Sequence, residues 1–167
     1  MISLRAPEQS DVDRLFLWEN DPALFESLPY AAPVSRMQVW EYINSYNADP
    51  FATRELRLMI TDKADGNTVG HIDLFDFDPV NRRAGVAIFI DESFRRQGYA
   101  SEGLELLATY AAHTLGVHQL WANIAIDNEP SKRLFTALGY KPAGKLRSWL
   151  RRNGTYTDVL VFQKLFA

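Results

Sequence analysis

Phe94-Arg95-Arg96-Gln97-Gly98-Tyr99-Ala100-Ser101-Glu102 stands between an apolar run, Ala84 to Ile90, and a long helical pattern. The apolar run shows no polar alternation, as suits a central strand covered on both faces. Beyond the loop, Leu104, Leu107, Ala108, Ala111 and Leu115 form one stripe of a helix over about Tyr99 to Leu115, stopped at Gly116. Leu120 to Ile126 reads as the next strand, so strand, helix and strand imply a parallel crossover. The loop exposes several backbone N–H groups at the positive end of the helix dipole. Gly98 and Ala100 are small enough for an anion to approach the backbone, and Arg95 and Arg96 add charge. The lysine and serine of a nucleotide P-loop and the glycine spacing of a dinucleotide fold are missing. The residues alone leave two readings, a phosphate or pyrophosphate site and a basic loop before a capped helix.

Upstream, Ile2 to Arg5 reads as a first strand. Ser10 caps a helix presenting Val12, Leu15, Phe16 and Glu19, and Ser35 caps a second with Met37, Trp40 and Ile43 at helical spacing. Leu56 to Thr61 and Val69 to Phe77 form strands joined at Asp65-Gly66, a type I′ hairpin signal. Ile72, Leu74 (or Phe75) and Phe77 are the candidate core positions of the second. Downstream, Pro130 opens a short helix that buries Leu134 and Leu138 and ends at Gly139. Two strands, about Lys141 to Leu150 and Thr155 to Leu165, meet at Asn153-Gly154. The fold class is therefore α/β (α+β), a single mixed, largely antiparallel central sheet of about seven strands flanked by about four helices, in one domain over residues 1–167.

Charge is unevenly spread. Residues 1–81 hold 6 basic and 14 acidic side chains, and residues 82–167 hold 12 and 7. The absence of cysteine excludes a disulfide scaffold, a thiolate zinc site and a cysteine nucleophile. The start, Met1 to Arg5, lacks a signal-peptide core, and no apolar run reaches the ~18 residues of a membrane helix. The expected compartment is the cytoplasm, so Asn153-Gly154-Thr155 reads as a turn and not as a glycosylation site. An acidic pI of 5.6 argues against general nucleic-acid binding. His71, His113 and His118 match no metal-ligand spacing.

Arg95-x-x-Gly98-x-Ala100, between a buried strand and a helix, resembles the acyl-CoA pyrophosphate loop of the GNAT superfamily of N-acetyltransferases. Asn128-x-x-Ser131-x-x-Leu134-Phe135-x-x-x-Gly139-Tyr140 resembles that superfamily's second CoA-contacting segment. Leu4-Arg5-Ala6, Gly70-His71-Ile72-Asp73-Leu74 and Gly154-x-Tyr156-x-Asp158 are similar to sequences in the branch that acetylates ribosomal-protein N-termini and in the spermidine acetyltransferases. The resemblance covers nearly the whole chain. It implies a GNAT-like fold and acetyl-CoA as co-substrate, lying where Ala84 to Ile90 splays from Leu120 to Ile126. Backbone groups of Phe89 and Ile90 would pair with pantetheine, and N–H groups of Gln97, Gly98, Tyr99, Ala100 and Ser101 would hold the pyrophosphate. Arg95, Arg96 and Lys132 would neutralise it. Asn128 and Ser131 would bond the pantetheine or thiol side, with Phe135 beside them.

An amine would then attack the acetyl carbon directly, helped by proximity and carbonyl polarisation. An ammonium must first lose a proton, and its pKa runs from ~8 to ~10. Many GNAT enzymes carry an acidic tyrosine where this chain has Phe135, and some carry a glutamate at the places of Asn123 and Gly85. The remaining candidates are Asp73, Glu19 and Glu26 as bases and Tyr30 and Tyr156 as acids, each set against a plain surface or core role. The acceptor that the resemblance implies is a primary amine, of a protein N-terminus, a polyamine or another small molecule, and the acidic first half suits a cationic one. No metal, membrane or nucleic-acid partner is expected, and a homodimer is compatible with the sequence. The alternative is a non-catalytic CoA-binding sensor or interaction module on the same fold.

Overall fold

The computed structural model describes residues 1–23 and 32–167. Its elements run β1 (Ile2–Arg5), α1 (Val12–Glu19), α2 (Arg36–Asn44), α3 (Pro50–Thr53), β2 (Leu56–Asp62), β3 (Thr68–Asp78), β4 (Arg83–Ile90), α4 (Tyr99–His113), β5 (Gln119–Ala125), α5 (Glu129–Ala137), β6 (Lys141–Arg152) and β7 (Thr155–Leu165). The seven strands form one sheet in the order β1-β2-β3-β4-β5-β7-β6, antiparallel except for β4 beside β5. The single turn α3, capped by the Asp49 side chain, adds to the four helices read from the sequence. It is too short to show a periodicity.

Register explains which side chains meet. Arg57, Asp73 and Ala87 share one rung across β2, β3 and β4, and Met59, His71 and Phe89 share another. These residues face α1 and α2, where Leu15, Trp18, Val39, Ile43 and Met59 make a small core. The opposite face carries the large core, in which Ile72, Leu74 and Val86 pack with Leu104, Leu107, Ala108 and Ala111 of α4. Leu74 and Phe77 both enter that core although three residues apart. Asp76 takes a left-handed φ of 48° at a register break between Phe75 and Asp78, and the extra residue turns Phe77 inward. Phe75 keeps to the α1–α2 face.

Some expectations need correction. Ser10 is not the N-cap of α1, since a short turn over Gln9–Asp11 precedes the helix and Asp11 holds the cap position. On α2 the buried stripe is Val39 and Ile43, four apart, while Met37 and Trp40 are exposed, because the apolar surface they were to meet belongs to α1 and β2 on the other side. The Asp65-Gly66 hairpin is real but is not a type I′ turn. β2 ends at Asp62 and β3 begins at Thr68, and within this longer loop Gly66 is the residue with positive φ. Asn153-Gly154 does have two left-handed residues, φ 49° and 77°, between Arg152 and Thr155.

The sheet opens at one rung. β4 pairs with β5 only over Arg83 to Gly85, ending at Gly85 opposite Trp121. Val86 to Ile90 then runs on without a β5 partner, while β5 stays with β7 as far as Ala125. Gly85 also lies opposite Phe75 on β3. A Cβ at Gly85 would stand 2.6 Å from the Phe75 ring and 2.9 Å from Trp121, so glycine alone admits both rings there. They meet edge to face, centroids 5.2 Å apart at 82°.

Candidate active site

The loop after β4 is built to leave donors free. Gly98 occupies the N-cap of α4 at φ 86° and supplies no side-chain cap. The first helical hydrogen bond runs from the Glu102 N–H to the Gly98 carbonyl, so the N–H groups of Tyr99, Ala100 and Ser101 have no acceptor within the helix. Arg96 is also left-handed, φ 62°. Ile90, Arg95, Arg96, Gly98 to Ser101 and, from α5, Pro130 and Leu134 enclose a cavity of about 260 Å³. Arg95 Nε donates to the Ile90 carbonyl at 3.0 Å, which pins the loop to the end of β4. Gln97 is exposed and outside the cavity lining, its amide 3.5 Å from the Ser93 carbonyl.

Strand alternation decides which backbone groups face the cleft. The Phe89 carbonyl is turned to β3, where it crowds Gly70, and the Asp91 N–H donates to the Val69 carbonyl at 2.9 Å. Ile88 and Ile90 therefore turn toward β5. Phe89 and Ile90 cannot both offer backbone groups to a ligand in the cleft, and Ile88 takes the place given to Phe89. The Phe89 ring instead stacks on His71 at 5.3 Å and touches Trp18.

The second segment expected to contact CoA is partly occupied by its own structure. Asn128 Oδ1 accepts from the Ser131 N–H at 3.2 Å as the cap of α5, which leaves the Asn128 amide N–H groups and the Ser131 hydroxyl. Lys132 is paired with Glu129 at 2.6 Å. Phe135 is 4% exposed and packs edge-on against Tyr140 in the large core, so it lines neither cavity.

A larger cavity, about 640 Å³, opens on the other side of β4 between the sheet and α1–α2. Glu19, Glu55 and Asp73 bring three carboxylates to it, and Arg57 brings one guanidinium. Tyr42, Tyr46, Phe75 and Ala87 form part of the wall. Arg57 is held on two sides. It donates to Asp73 through Nε at 2.7 Å and Nη2 at 3.0 Å, and to Glu19 through Nη1 at 3.1 Å. The Tyr46 hydroxyl donates to the Arg57 carbonyl at 2.7 Å. Burial works against the Arg57 charge, but Asp73 outweighs it and holds the guanidinium protonated. Burial pushes the Tyr42 phenol up to about 12.

Asp73, with both carboxylate oxygens in the Arg57 fork, is a poor fit to the base the sequence allowed. Burial raises its pKa, but contact with His71, whose Nδ1 lies 3.4 Å away in poor hydrogen-bond alignment, and the Arg57 fork bring it down to about 2. A carboxylate this acidic is a weak proton acceptor at neutral pH. Its depressed pKa is also a stability term, present above the ordinary carboxylate pKa and lost as pH falls from about 4 through about 2. Asp73→Asn is expected to cost at least about 2 kcal/mol at pH 7 and to flatten that acid limb, read by urea unfolding at stepped pH. Glu19 does face the cavity. Tyr156 is 63% exposed on the far hairpin and lines neither cavity. Tyr30 and Glu26 lie outside the described residues.

Sequence reading missed Arg57, Tyr42 and Tyr46. The signal was present in part, since Gln38, Tyr42 and Tyr46 fall four apart and line one face of α2 and its exit. Arg57 carried none, because a single arginine in a strand looks like surface. No group of three or more metal-ligating side chains occurs among the described residues, and no helix there is long and apolar enough to cross a membrane.

Residues 2–141 match the family model of the acetyltransferase (GNAT) domain. The chain belongs to the GNAT acetyltransferase family. This GNAT enzyme is an acetyl-CoA-dependent N-acetyltransferase with an amine as acceptor. The uncharacterized N-acetyltransferase p20 of Bacillus licheniformis is 24% identical over 98% of this chain and 92% of its own length. The spermidine N(1)-acetyltransferase of Escherichia coli K12 is 24% identical over 95% of this chain and 83% of its own. The spermidine N-acetyltransferase of Vibrio cholerae, solved with CoA and spermine, superposes with a TM-score of 0.85 at 22% identity, over 98% of this chain and 95% of that one. At that identity the likeness is one of fold.

Proposed function

We propose that this GNAT enzyme binds acetyl-CoA along the open half of β4 and acetylates a small cationic amine delivered through the 640 Å³ cavity. The free N–H groups of Tyr99, Ala100 and Ser101 receive the pyrophosphate, with Arg96 beside them. The pantetheine arm adds to the unpaired edge of β4 at Ile88 and Ile90, and the Ile88 N–H polarises the thioester carbonyl. The amine lone pair attacks the acetyl carbon, the carbon–sulfur bond breaks, and CoA leaves as a thiolate that takes a proton from water. The amine's own proton passes to water held at Glu19, whose second carboxylate oxygen lies outside its contact with Arg57.

The observation that carries the acceptor class is the charge of the cavity, where the described residues bring three carboxylates against one guanidinium already committed to two of them. A site of net negative charge lowers the free energy of a cation and steers it in. The spermidine acetyltransferases that match over nearly the whole chain support the same class. Thiol release measured across a panel of spermidine, an aminoglycoside, a neutral monoamine and a protein N-terminal peptide tests it. Polycationic amines are expected to lead by at least tenfold in kcat/KM. Equal use of the neutral monoamine contradicts the acceptor class, and CoA binding without release on any acceptor contradicts catalysis.

A further inference from the structure

We infer that the Phe75–Trp121 pair, admitted by Gly85, is the end wall of the acyl pocket and confines the enzyme to very short acyl groups. This rests on the open half of β4 being the cofactor cleft. The pyrophosphate donors lie beyond the C-terminal end of β4, so the arm must run back along Ile90 and Ile88 toward the start of the strand. The cleft closes where pairing with β5 resumes, at Gly85 opposite Trp121. With its carbonyl at the Ile88 N–H, the thioester therefore points its acyl end toward that rung. There the way forward is filled by two aromatic rings in edge-to-face contact, 5.2 Å between centroids.

The wall is held from below as well. The rings stand where a side chain on residue 85 would go, 2.6 Å and 2.9 Å from its Cβ position, so they rest on bare backbone and cannot sink further. Phe75 and Ala87 also border the acceptor cavity, which places the meeting point of donor and acceptor beside them. The small Ala87 side chain leaves room for an acetyl methyl on that face. A longer chain must push aside a ring that packing holds.

The test compares kcat/KM for acetyl-, propionyl- and butyryl-CoA with one amine, together with calorimetric affinity for CoA. The wild-type enzyme is expected to lose about tenfold or more per added methylene, the usual worth of one methylene against a tight wall. Phe75→Leu and Trp121→Leu are each expected to raise the butyryl-to-acetyl ratio by about tenfold or more, with CoA affinity near wild type. Equal use of butyryl- and acetyl-CoA by the wild type overturns the wall, as does an unchanged ratio in variants that still bind CoA. If both variants fail to fold, the wild-type series decides alone. Absence of CoA binding by the wild type instead overturns the cofactor reading beneath.

Discussion

Gly70→Ala is expected to destabilise the protein by about 3 kcal/mol and to weaken CoA binding in the same step. A Cβ there would lie 2.0 Å from the Phe89 carbonyl oxygen and 3.0 Å from the Ile90 Cα. Both neighbours are backbone, so no side-chain rotation relieves the contact and β3 must move away from β4. Overpacking of this kind costs about 1–3 kcal/mol, and a rigid neighbour puts it at the upper end. For a chain of this size 3 kcal/mol corresponds to a fall in Tm of roughly 6–12 °C. The rung that shifts carries the β4 residues whose other edge faces the proposed cofactor cleft, so stability and affinity are tied. Gly144→Ala is the matched control, since nothing lies within 4 Å of its Cβ position. It is expected to change Tm little. Thermal melting with CoA titration of both variants reads the effect, and a Gly70→Ala protein with wild-type Tm and affinity contradicts the register described.

Ser101→Asp is expected to separate those two quantities with opposite signs. Ser101 is the third residue of α4, where a carboxylate meets the positive end of the helix dipole and stabilises it by about 0.3–1 kcal/mol. The same negative charge competes for the N–H groups assigned to the pyrophosphate. Two unit charges about 4 Å apart repel by about 1 kcal/mol in water and about 4 kcal/mol at a protein surface of effective dielectric near 20. CoA affinity is therefore expected to fall between about fivefold and a thousandfold while Tm holds or rises. Ser101→Asn, nearly the same size without the charge, is expected to stay close to wild type in affinity. A Ser101→Asp enzyme that binds CoA normally would place the pyrophosphate elsewhere.

The loop proposed to hold the cofactor was legible as a feature because its chemistry is local. Gly98, Ala100 and the start of α4 lie within a few residues, and the physics of a helix N-terminus needs no tertiary partner to be read. Strand existence was legible for the same reason, through apolar runs and turn residues. What stayed hidden depends on register. Arg57 becomes a cavity residue only because it stands on the rung of Asp73 and Ala87 and because α1 brings Glu19 across. Asp73 read as a free carboxylate and is an ion-paired one. Phe89 and Ile90, neighbours in sequence, face opposite strands. Gly85 read as a missing glutamate, whereas in the fold it is the seat of two aromatic rings that a glutamate would displace.

The basic excess of the second half finds only part of its explanation. Arg95 is tied to Ile90 and Arg96 borders the smaller cavity. Arg152 reaches Asp127 at 3.5 Å, and Lys145, Arg147 and Arg151 lie exposed on β6, the outer strand of the sheet. Charges in that position discourage a second strand from adding to the edge, as do the two register breaks of β6.

Calorimetric titration of acetyl-CoA into the wild-type protein tests the central claim, that the open half of β4 and the free N–H groups of α4 form a built cofactor site. One site per chain with a Kd of about 100 µM or tighter, a free energy of at least about 5 kcal/mol, is the expected result. No binding heat at millimolar acetyl-CoA would contradict the account.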